Sequence, residues 1–307
     1  MMQRTAMPDT ALSSPPLTVG ACATLACIWE ATAAKPGNVY RGADFEDVTF
    51  ADFLTSAAVI GPILEKTNQL GVGKTVLQAV QATQAAVASN TNLGMLLLMT
   101  PLAAVADNQP LNAGISQILT NLTTTDTQAV YAAIAAANPG GLGEVDEADV
   151  QSNELPQIEL VEAMRLAADR DLVARQYVNN FQQVFQSAER IELGCQQGWP
   201  LGEAIVHTFL HSLSEHSDSL IIRKCGLELG AEVKQRAARV LGTGQPGETA
   251  YFRAVEDFDF WLRADGHRRN PGTSADIIAA GLFVLLREQR PRWPAKFYRD
   301  ESENPQN

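Results

Sequence analysis

Apolar residues recur at three- and four-residue spacing along most of the chain, and Ala is abundant between them. Clean two-residue alternation of β-branched residues is hard to find. That pattern predicts helices and an all-α fold. A first helix runs from about 18 to 34 and stops before Pro36-Gly37, because proline disfavours α geometry in the residue before it. A second starts near Thr49, with Asp52 three residues on as in a capping box, and is expected to kink at Gly61-Pro62. Further helices fall near 74–89, 93–106, 111–121 and 126–137, the last closed by Asn138-Pro139-Gly140-Gly141. The second half continues near 157–170, 171–194, 200–216, 218–241, 247–264 and 274–288. About a dozen helices joined mostly by short loops predict a single compact domain over 17–298. Residues 1–16 and 299–307 carry no periodic pattern and are expected to be disordered tails.

Composition and charge narrow the partners. With 307 residues and 46% hydrophobic content the chain can bury a full core. Its net charge of −12 has no basic run to offset it, which argues against nucleic acid and against an anionic membrane surface. The longest apolar run, Met95 to Ala106, falls short of the roughly 18 residues of a membrane span. Leu17 to Trp29 imitates a signal peptide, but Asp9, Glu30 and the Pro/Ser-rich opening fit one poorly, so it reads as a core helix. Cys22, Cys27, Cys195 and Cys225 show no C-x-x-C spacing and read as buried thiols in the reducing cytoplasm. A homo-oligomer is compatible with everything above.

Polar clusters stand where helices begin or end. Lys35-Pro36-Gly37-Asn38-Val39-Tyr40-Arg41 offers two cations and a glycine to phosphate oxygens, and Asp44 and Asp47 after it suit a divalent metal. The same residues also make an ordinary solvated turn. Asn90-Thr91-Asn92-Leu93-Gly94 opens the most apolar helix, where free N–H groups suit an anion or a sugar; plain capping is the alternative. Asn270, Gly272, Thr273 and Ser274 lead into another apolar helix, with Asp276 in its first turn, again a pattern that capping alone explains. Asp218, Arg223 and Lys224 are suited to phosphate and metal.

Other features are weaker. His207 and His211 share a helix face, but no third zinc ligand follows from spacing. The acidic run from Glu144 to Asp149 reads as solvated or as a magnesium loop, and Asp171 with Arg175 as an intrahelical ion pair. Gly71-Val72-Gly73-Lys74-Thr75 imitates a P-loop, yet Asn68 stands where its first glycine belongs and no strand precedes it; the glycines read as helix stops.

Taken together, KPGNVYR (35–41), the acids after it, NTNLG (90–94), DSLIIRKCG (218–226) and NPGTSAD (270–276) resemble, in this order, the motifs of the triphosphoribosyl-dephospho-CoA synthase family. The resemblance covers about 18–290 and implies an all-helical enzyme. In that family adenine leaves ATP and the triphosphoribosyl unit joins 3'-dephospho-CoA; another nucleotide transferase, a phosphohydrolase or a non-catalytic nucleotide-binding protein is the alternative. It further implies Lys35, Arg41 and Arg223 on phosphate, and Asp44, Asp47 and Asp218 on magnesium. Asn90, Thr91 and Ser274 would hold ribose or phosphate, and Asp276 or Asp218 would take the proton of the attacking hydroxyl. Asn92 and Leu93 depart from the family's N-T-H-K-G, which marks a divergent branch with an acceptor that is dephospho-CoA or a related molecule.

Overall fold

The computed structural model describes residues 16–137 and 157–300. Fifteen helices lie within them. The first seven are α1 (Val19–Thr32), α2 (Phe50–Leu64), α3 (Thr67–Leu70), α4 (Val72–Val87), α5 (Leu93–Ala103), α6 (Leu111–Thr120) and α7 (Thr124–Ala137). The rest are α8 (Leu160–Ala167), α9 (Leu172–Val178), α10 (Gln182–Gln196), α11 (Leu201–Glu215), α12 (Ser219–Cys225), α13 (Leu227–Leu241), α14 (Thr249–Arg263) and α15 (Gly272–Arg287). A short extended piece, β1 (Ala264–His267), follows α14. The fold is all-α.

Helices that are apolar all round become the centre, because every face must leave water. α5 is buried along nearly its whole length, and α15 from Thr273 through Leu286 almost without break. Around α15 pack α1, α5, α10 and α11, while α9 and α12 meet it near its start. The apolar run at Leu17–Trp29 forms most of α1, whose Cys22, Ala23 and Ala26 are fully buried. A Cβ on Gly20 would lie 2.3 Å from the Gly61 carbonyl oxygen, so these glycines let α1 and α2 cross backbone against backbone.

Start signals worked as sequence logic requires. Thr49 and Asp52 form the expected capping box at α2, and Asp171 caps α9 through Val173 N and Ala174 N. Breaks inside long periodic stretches were not foreseen. The stretch 171–194 is two helices, separated at Asn180 and Phe181, both at positive φ. The stretch 218–241 is also two, split at Gly226 with φ 90°. Pro62 and Pro101 lie inside α2 and α5, within the stretches expected to be helical. Gly71 does separate α3 from α4, but Gly73 is helical and lies against Asp126 of α7, where a Cβ would come within 2.6 Å of its Cα. The four thiols are free, yet Cys195 is exposed and Cys225 half-buried, contrary to the expectation of burial. Arg175 pairs not with Asp171 but with the carbonyls of Ala168 and Asp169 at the end of α8.

The chain returns over the start of α11, where Leu201 N and Gly202 N donate to the carbonyls of Lys296 and Phe297. Arg299, expected in a tail, pairs with Glu203 at 2.5 Å. The acidic run 144–149 and the ends 1–15 and 301–307 lie outside the described residues. Among those described, no helix is long and apolar enough to cross a membrane.

Candidate active site

The beginnings of α5, α9, α12 and α15 meet around one cavity of about 1060 Å³. That is the upper end of the ordinary range for ligand sites, roughly 300–1,000 Å³. The four sequence clusters arrive there together: Asn38 and Asp47 from the first, Asn90, Thr91, Asn92 and Gly94 from the second, Arg223 and Lys224 from the third, and Asn270, Gly272, Thr273 and Asp276 from the fourth.

A network of hydroxyls and amides fixes these helix starts. Asp218 is fully buried; one oxygen accepts from Leu220 N at 3.0 Å and Ile221 N at 3.1 Å, capping α12. Its other oxygen accepts from Ser274 N at 2.7 Å and the Ser274 hydroxyl at 2.9 Å, so a side chain of the α12 cap also caps α15. Ser219 continues the tie, accepting from Leu172 N and donating to Thr273 Oγ1 at 3.0 Å. Across the cavity, Thr91 Oγ1 lies 2.6 Å from Ser56 Oγ, and Asn92 donates to Thr83. Asn38 donates through Nδ2 to Asn270, while its Oδ1 is buried without a partner.

Several expected site residues are placed elsewhere. Lys35 is fully buried and held by Glu30 at 2.8 Å and by main-chain oxygens, so its ammonium does not reach the cavity. Arg41 is exposed and Asp44 caps α2 at Phe50 N, 2.6 Å away; neither lines the cavity. Asp218 and Ser274 lie behind the wall, each saturating the other. Asp47 is at the rim, 2.8 Å from His267 Nδ1. The trio Asp44, Asp47 and Asp218 therefore does not form one metal cluster, and among the described residues no three His, Cys, Asp or Glu groups do. His207 in turn is occupied by Tyr251, 2.9 Å from its Nδ1.

The structure adds Glu30 and His267, not singled out from sequence, and Arg170 and Asp171, which the alternating charges at 169–175 made second-rank candidates; all four line the same cavity. Asp171 spends one oxygen on capping α9 and the other on Arg223, 2.7 Å away. Arg170 and Lys224 have no ion-pair partner within the described residues. Burial pushes the Lys224 ammonium below its ordinary value, with Asp47 pulling the other way.

Asp276 is the odd member. No described group donates a hydrogen bond to it, and its carboxyl rests on Gly94, where a Cβ would come within 2.0 Å of Oδ2. Burial, then the charges of Glu30, Asp218 and Asp171, push it well above the usual carboxylate range against the pull of Arg223. Burial likewise raises Glu30, opposed by Lys35. An acid and two cations without ion-pair partners among the described residues share one cavity, the pattern of a functional site.

These features define an all-helical enzyme that handles a phosphorylated small molecule. Residues 16–294 match the model of the family CitG, ATP:dephospho-CoA triphosphoribosyl transferase, and the chain belongs to that family. It is a transferase that moves the triphosphoribosyl unit of ATP to dephospho-CoA. A solved structure from Archaeoglobus fulgidus, described as that of a candidate triphosphoribosyl-dephospho-CoA synthase, shares the fold. Its TM-score is 0.60 at 24% identity, over 76% of this chain and 98% of that one. The curated proteins give no match.

Proposed function

We propose that ATP and dephospho-CoA meet in the cavity at the starts of α5, α9, α12 and α15, and that Asp276 carries the proton of the reaction. The observation behind this reading is the lone acid on Gly94, facing a cavity whose rim holds unpaired cations. Arg170, Arg223 and Lys224 face the triphosphate, taking over the part that the motif alone gives to Lys35 and Arg41. The amides of Asn38, Asn90 and Asn270 orient ribose hydroxyls.

In the reaction the ribose C1'–N9 bond of ATP breaks, its electron pair leaves on adenine, and an acceptor hydroxyl of dephospho-CoA closes the bond to C1'. Adenine needs a proton and the hydroxyl must lose one. Asp276, whose burial favours the protonated form, gives its proton to the departing base and regains one from the hydroxyl, so it ends as it began. Asp218, with every oxygen engaged, is a positioning residue: it holds Ser274 and thereby the first turn of α15 that presents Asp276. Magnesium would enter with the triphosphate as part of the substrate, held chiefly by phosphate oxygens and waters. The work is cytoplasmic.

The test is incubation with ATP, magnesium and dephospho-CoA, with free adenine and the acceptor product read by mass spectrometry. Wild type should release adenine, and Asp276→Asn should lose roughly 10²–10⁴-fold in rate. ADP or pyrophosphate in place of adenine points to a phosphohydrolase, and binding without turnover to a non-catalytic protein; either outcome ends the reading.

A further inference from the structure

We infer that the apolar end of the cavity, between α7 and α8, is the subsite for the pantetheine arm of dephospho-CoA; the assignment rests on the cavity being the transferase site. Everything that α7 and α8 contribute to the lining is uncharged, chiefly Tyr131, Ile134, Met164 and Leu166. All the charged lining residues come from other segments. The two surfaces join at the end of α8, where Leu166 and Ala167 are followed within one helical turn by Arg170 and Asp171.

That order matches one substrate and not the other. In dephospho-CoA a diphosphate is bonded on one side to adenosine and on the other to a long, largely apolar arm with two amides. ATP has no such arm: its polyphosphate ends in charge. A diphosphate at Arg170 would therefore send the arm onto Leu166, Met164 and Ile134. At that end Gln84 lines the wall, spends its Nε2 on the Ala137 carbonyl at 3.5 Å, and leaves its Oε1 for an amide N–H of the arm. The rival occupant is the adenine ring of ATP, which also favours apolar walls.

The two are separated by titrating the full chain with dephospho-CoA and with ADP, which is dephospho-CoA without its arm. Wild type should bind dephospho-CoA about tenfold or more tighter than ADP, the scale of discrimination an apolar pocket provides. Ile134→Asp should bring that ratio close to one. Leu166→Glu should do the same, and because Leu166 is 44% exposed this variant keeps the result interpretable if Ile134→Asp does not fold. A ratio that persists in Leu166→Glu, or dephospho-CoA and ADP weakened by the same factor, overturns the subsite and in the second case places a base there. Adenine release by wild type is measured alongside. Release with an unaffected ratio rejects the subsite alone, whereas a collapsing ratio without release rejects the transferase reading and keeps a pantetheine-binding wall.

Discussion

Gly94→Ala offers the sharpest separation of stability from chemistry. Gly94 is in the first turn of α5 with ordinary helical backbone, so the methyl is not opposed by conformation; Ala even improves helix propensity by up to about 1 kcal/mol. What opposes it is Asp276, whose Oδ2 and Cγ would lie 2.0 and 2.4 Å from the new Cβ. Packing clashes of this kind cost about 1–3 kcal/mol when neighbours cannot yield. Here the neighbour is the end of a side chain that makes no hydrogen bond, so it can turn aside by about an ångström. Net stability should therefore change by less than about 2 kcal/mol, read as a urea midpoint. Catalysis should suffer more, because misplacing a reacting group by about 1 Å costs on the order of 10²-fold. The assay is single-turnover adenine release, with Asp276→Asn and the double variant alongside. If Asp276 is the group displaced, the double variant is no slower than Asp276→Asn. Wild-type turnover in Gly94→Ala, or losses that multiply in the double variant, would refute the placement of the proton carrier on Gly94.

Three other outcomes follow from the same geometry. Asp276 has a folded pKa above its unfolded value, so the native state binds more protons between the ordinary carboxylate pKa near 4 and the raised value. Stability therefore falls as pH rises through that window; Asp276→Asn should flatten the fall and be more stable than wild type at neutral pH, whereas parallel urea midpoints from pH 5 to 8 contradict the shift. Asp218→Ala removes the acceptor of four hydrogen bonds at two helix starts and should lower unfolding free energy by roughly 3 kcal/mol; a loss below about 1 kcal/mol would mean that water replaces the cap. Lys35→Met strands Glu30 in the interior and should cost about 3–5 kcal/mol at neutral pH, with less loss at acidic pH where Glu30 takes a proton and much of the loss regained on adding Glu30→Gln; an unchanged midpoint would show that the pair is not the partner that matters.

The reach of sequence reasoning here follows physical lines. Hydrophobic period located the helices because burial dictates it over many residues, and so α5 and α15 were legible as the inner helices. The breaks at Phe181 and Gly226 were not, since one residue at positive φ ends a helix without disturbing the apolar period on either side. The clusters at 35–47, 90–94, 218–224 and 270–276 were legible as candidates because loops at helix starts carry free donors, and the fold brings some residues of each, though not Lys35, Arg41, Asp44, Asp218 or Ser274, to one cavity. What the pattern could not disclose is which polar groups are already engaged. Lys35 is neutralised by Glu30, five residues earlier, and Asp218 by Ser274, fifty-six residues later. Glu30 did carry a signal: a carboxylate inside an otherwise apolar helix needs a buried cation, and the nearest one, Lys35, is in the motif itself. Asp171 was assigned to Arg175 by spacing alone, although a residue in a helix N-cap turns its carboxylate to its own backbone and away from the residue four positions on. Motif residues thus divide into those that build the wall and those that face the cavity, and an acid left without a donor, as Asp276 is, distinguishes the second kind in a way no spacing rule can.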